Sequence, residues 1–91
     1  VRARLQRLYV DTLLTLGARH AADGRPRRAA DAYGRALARD PLHEAAVVGL
    51  MRAHEAHGER AQALRAYRQF AERLRAELDV EPDGPAAALA E

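Results

Sequence analysis

His20, His54 and His57 are the first side chains to weigh for chemistry. His54 and His57 stand at i,i+3 spacing, which puts two imidazoles on one face of a helix. Two or three imidazoles can begin a zinc site, but a closed site takes four ligands, and no Cys or carboxylate set stands nearby to complete it. The rings read as packing side chains, and neither a metal nor any other cofactor is expected. Nucleophilic catalysis has no candidate. The chain contains no serine and no cysteine, which removes both the Ser-His-Asp arrangement and a thiolate. Glu72, Glu77 and Glu81 form an acidic patch with no partner for acid–base work and read as a solvated face. The glycines sit singly, so no phosphate-cradling loop is present. No enzyme is expected.

Arg25, Arg27 and Arg28 are the remaining cluster with a chemical use, as an auxiliary phosphate contact. All 15 Lys/Arg positions are arginine, the side chain suited to bidentate contact with phosphate or carboxylate, although compositional bias explains the same fact. The net charge is only +2, and no basic recognition helix or winged-helix strand pattern is present. Direct sequence-specific nucleic-acid contact by this chain is not expected. The charge is unevenly spread: residues 1–28 hold seven arginines against Asp11 and Asp23, and residues 72–91 hold six acids against Arg73 and Arg75. Such a dipolar module can stack head to tail or face a charged neighbour, while a solvated surface is the simpler reading. No apolar run reaches the ~18 residues a membrane span needs. The absence of cysteine fits a cytoplasmic location. No signal peptide is legible, and the ends, Val1 and an Ala-rich run, suggest a fragment of a longer protein.

The elements that carry these residues repeat. Gly24, Ala29 and Tyr33 return as Gly58, Ala63 and Tyr67, each 34 residues on, and Leu16 and His20 return as Leu50 and His54. A 34-residue period of glycine, small residue and aromatic is the signature of tetratricopeptide helix–turn–helix units. The composition, rich in Ala, Leu, Arg and Glu, favours helix throughout. The expected fold is all-α: a right-handed helical stack of two helix-turn-helix repeats plus a C-terminal capping helix. One domain covers 1–91, with repeat 1 about 10–43, repeat 2 about 44–79 and a capping segment 80–91.

The first helix is predicted from Arg2 to Ala22, with Leu5, Leu8, Tyr9, Leu13, Leu16 and His20 on one face and Val10 and Leu14 off it. A helix apolar on two sides is covered on two sides. The second opens at Pro26 and turns Ala29, Ala32, Tyr33, Ala36 and Leu37 inward. Asp40 as N-cap and Pro41 at the first position begin a third helix, Leu42 to His57. The fourth runs from Arg60 to Leu78, and Pro85 opens a last short one. Tyr33 and Tyr67 are each expected between the two helices of their own unit, with Ala29 and Ala63 at the closest crossings. Phe70 replaces the small Ala36 of the first unit, so no identical third unit docks there and the tail folds back instead.

The segments Arg4–Leu16, Ala38-Arg39-Asp40-Pro41-Leu42-His43-Glu44-Ala45 and Ala63-Leu64-Arg65-Ala66-Tyr67 resemble the bacterial transcriptional activator domain of SARP-type regulators. Leu74-Arg75-Ala76-Glu77-Leu78-Asp79-Val80-Glu81-Pro82 resembles that family's Leu-x-x-Glu-Leu-Gly-Val-x-Pro tail, with Asp79 in place of glycine. The resemblance implies an interaction and regulatory domain, with DNA binding supplied by a separate winged-helix domain. Implied partners are proteins: an adjacent winged-helix or receiver domain, a sister protomer, or the transcription machinery. The alternative is a stand-alone tetratricopeptide scaffold that binds peptides. Such scaffolds clamp a C-terminal carboxylate with Lys and Asn on the first helix of each unit. The matching positions here are Asp11, Leu14, Thr15 and Ala18, then Ala45, Val48, Gly49 and Arg52, so only Arg52 can serve. The expected partner-binding groove is Asp11, Leu14, Ala18, Val48 and Arg52, a small-residue apolar surface suited to a helix or a neighbouring domain.

Overall fold

A computed structural model describes residues 1–91. Five helices are present and no strand: α1 (Arg2–Ala22), α2 (Pro26–Arg39), α3 (Glu44–Ala56), α4 (Arg60–Leu78) and α5 (Pro85–Ala90). Each of the first four packs on the next in sequence, and α5 lies against α3 and α4. The result is the expected all-α stack, a slab of 38 × 36 × 16 Å.

The period has a hydrogen-bonding cause. Gly24 and Gly58 have φ of 71° and 76°, a left-handed conformation that glycine adopts without steric cost. Beyond Gly24, the Arg25 N–H donates to the His20 carbonyl at 2.9 Å, and Gly24 N–H donates to Ala21 at 3.1 Å. Beyond Gly58, the Glu59 N–H donates to His54 at 2.7 Å, and Gly58 N–H donates to Glu55 at 3.0 Å. These are two Schellman closures at the same offset, each satisfying orphan carbonyls and turning the chain into the next helix. Asp79 closes α4 at φ 54°, a left-handed conformation that aspartate tolerates better than most residues.

The start of α3 departs from expectation. Asp40 and Pro41 do not open the helix. Asp40 instead ends α2, and its carbonyl accepts from His43 N–H at 3.1 Å in a turn. His43 is the cap, with its Nδ1 accepting from Ala46 N–H at 3.4 Å. A histidine ring near the helix start thus satisfies a donor that Asp40 lies too far upstream to reach.

Fourteen residues are buried and none is charged. Ten of them form two small cores. Val10, Leu13, Ala32, Ala36 and Ala46 join α1, α2 and α3. Val47, Met51, Ala63, Phe70 and Ala86 join α3, α4 and α5, and Leu37 packs against both groups. The inward stripe of α1 is Val10, Leu13 and Gly17. Of the face expected there, Leu5, Leu8, Tyr9 and Leu16 are exposed. The small Gly17 sets which side approaches α2, and nothing in the chain covers the opposite side. Tyr9 rests its ring under the Arg39 guanidinium, 5.0 Å from the centroid, a cation–π contact at the surface.

Candidate interaction groove

Tyr33 projects from α2 between α1 and α3. A Cβ built on Gly17 falls 2.8 Å from the Tyr33 ring, and one on Gly49 falls closer still. Both glycines lie inside helices, where glycine costs up to about 1 kcal/mol relative to alanine. Their missing side chains let the ring fill the seam between successive units. Tyr33 therefore reaches past its own unit, unlike the expected packing within one pair. Tyr67, its repeat counterpart, is half-buried against the second core. The position 34 residues after Gly17 is Met51, fully buried, so the corresponding space is already filled.

Above this seam lies an open groove of 980 Å³. Its walls are small: Ala18 and Ala21 from α1, and Ala45, Val48, Gly49 and Ala53 from α3. Tyr33 forms part of the lining, Arg52 stands at the surface, and Glu44 and Pro85 lie at the margin. The Glu44 carboxylate is already engaged. Its Oε2 accepts from the Ala86 N–H of α5 at 3.1 Å, while the Arg60 guanidinium donates to the Ala90 carbonyl at 3.3 Å. Arg52 takes part in none of the chain's five ion pairs.

Of the residues expected in the groove, Ala18, Val48 and Arg52 line it together. Leu14 packs instead against the first core, half-buried. Asp11 faces a separate depression with Arg7, Arg39 and His43. The turn of α1 that carries both residues lies nearer the far end of the helix than the groove. Tyr33, Glu44, Gly49 and Pro85 were not expected there. For Tyr33 and Gly49 the sequence does carry a signal, since a glycine inside a helical pattern marks a close approach of another element.

Arg25, Arg27 and Arg28 do not act as one cluster. Arg27 Nε donates to His57 Nε2 at 2.8 Å, and Arg27 and Arg28 border a cleft with His20 and Arg35, whereas Arg25 caps α2. His54 Nδ1 lies 3.1 Å from Glu59 Oε1, so His54 and His57 serve different partners rather than a common ion. No group of three or more potential ligands converges on a metal-sized site.

Burial raises the Tyr33 phenol above its ordinary value of 10.0, and the Arg52 charge opposes the shift. The fold favours the neutral phenol, so this contribution to stability is complete below pH ~10 and is lost as pH rises through the folded value. The chain contains no lysine and no cysteine. Phenolate absorbance of the native protein is expected to contain a component above pH ~10 that is missing in Tyr33→Phe. Identical alkaline limbs would show that Tyr33 is not held as described.

Three comparisons bear on this chain. No curated protein matches it, and no solved structure matches it. The family model described as "Bacterial transcriptional activator domain" matches residues 1–91. No helix is long and apolar enough to cross a membrane. The match spans the whole chain, and the chain belongs to the bacterial transcriptional activator domain family.

Proposed function

We propose that this domain is the interaction and regulatory part of a cytoplasmic transcription factor whose DNA contact is made by a separate winged-helix domain. Its groove holds a protein partner in place: the adjacent domain, a sister protomer or a component of the transcription machinery. The observation that carries the reading is the groove between α1 and α3, walled by small apolar side chains with one unpaired arginine, in a chain with no catalytic constellation. Grooves between helices suit a partner element that arrives already folded.

The test uses the full-length regulator carrying Ala18→Arg with Val48→Arg, two substitutions on the groove walls. Promoter activation is expected to fall at least about tenfold, which corresponds to ~1.4 kcal/mol of lost contact. Ala18 is exposed and outside both cores, whereas Val48 is half-buried against the second, so the melting temperature is read alongside and Ala18→Arg alone should stay close to wild type. Unchanged activation by the folded double variant rejects the groove. Sub-micromolar, sequence-specific DNA binding by residues 1–91 alone at physiological salt rejects the division of labour.

A further inference from the structure

We propose that the groove's occupant is an α-helix with a small-residue face that presents one carboxylate to Arg52, an inference that rests on the groove reading above.

The helical form follows from the walls. The groove is bounded chiefly by α1 and α3, whose interior backbone donors and acceptors are satisfied within each helix. A ladder of main-chain hydrogen bonds to an extended segment needs a free sheet edge, and this chain has no strand. A helix satisfies its own backbone before it arrives. The walls then need only admit it closely, and Ala18, Ala45, Gly49 and Ala53 do so.

The carboxylate follows from charge complementarity. Glu44 and Arg52 are the only charged side chains that line the groove. Glu44 is engaged by one amide of α5, the Ala86 N–H, so its carboxylate is held within the molecule. Arg52 has no carboxylate partner. The residue one repeat earlier is Ala18, which leaves space beside the guanidinium on the neighbouring helix. Tyr33 also lines the groove, and its hydroxyl is a neutral donor there. A carboxylate is the group that both can serve, and an Arg–carboxylate pair in a partly dry groove is a strong, oriented contact.

The experiment is a display selection against residues 1–91 using an alanine-based helical peptide library, randomised along one face. Enriched peptides should carry Asp or Glu at one fixed register with Ala or Gly beside it. Their binding should weaken at least tenfold on Arg52→Gln, and the same selection on Arg52→Glu should enrich Lys or Arg at that register. A central proline should abolish binding. Binding that survives the proline means an extended occupant and overturns the proposal. So does enrichment with no acidic position, or no enrichment at all. A concentration-dependent dimer that Ala18→Arg dissolves identifies a second copy as the occupant and also overturns it. Peptides that lack an acid but are blocked by Ala18→Arg with Val48→Arg leave the groove reading standing and remove only the occupant. Peptides indifferent to that double variant remove both.

Discussion

Ala63→Glu is expected to remove a large share of the domain's stability. Ala63 has no exposed surface and sits in the second core with Val47, Met51 and Phe70. A carboxylate placed there meets no cation and no hydrogen-bond donor. An uncompensated buried charge costs about 3–5 kcal/mol, unless the group protonates or the helix shifts outward. A domain of this size holds only about 5–15 kcal/mol in total. Denaturant melts followed by circular dichroism will read the loss directly. A midpoint indistinguishable from wild type would mean that α4 presents another face to α3. Ala63→Gly, which adds no charge, serves as the contrasting variant and should cost roughly 1 kcal/mol through helix propensity.

Phe70→Ala is expected to cost about 3–5 kcal/mol as a large-to-small core truncation. It is also expected to release α5. Phe70 is 5% exposed and packs in the cluster that contains Ala86, with Leu89 and Ala90 against it. A six-residue helix does not persist alone in water, so it depends on this contact. Its other attachments, the Glu44 and Arg60 hydrogen bonds, cannot hold it without the apolar surface beneath. Amide exchange in 85–90 should accelerate far more than in α2. Protected α5 amides in a folded Phe70→Ala protein would contradict this account of the tail.

The helices were legible because their punctuation is chemical. Gly24 and Gly58 stop helices by left-handed closure, Pro26 and Pro85 start them, and each boundary falls where those residues place it. The start of α3 was misread because Asp40-Pro41 offers the standard opening signal, and His43, a weaker capping residue in isolation, wins in the folded chain. The face of α1 was misread for a different reason. Leucines at helical spacing lie on both sides of it, and periodicity alone does not say which side meets α2. Burial chose the side with Gly17, where Tyr33 needs room. The groove was half legible. Counting from the start of each unit finds Ala18, Val48 and Arg52, yet it places Asp11 and Leu14 there too. Tyr33 entered the lining because a long-range insertion between two glycines leaves only a faint local mark.

The position of α3 has a kinetic consequence. Ala46 belongs to one core and Val47, its immediate neighbour, to the other. The central helix is therefore covered from both sides, and each core loses a member once α3 leaves. A two-repeat array built from independent units would melt in stages, whereas this one is joined through a shared helix into a single cooperative unit. Nearly all its helix contacts are also between sequence neighbours. Short loops close at little entropic cost, so rapid folding of the low-contact-order kind and a single cooperative melt are the expected results of stopped-flow and calorimetric measurements. A domain with so thin an interior can then spend little time open, even while its outer faces wait for a partner.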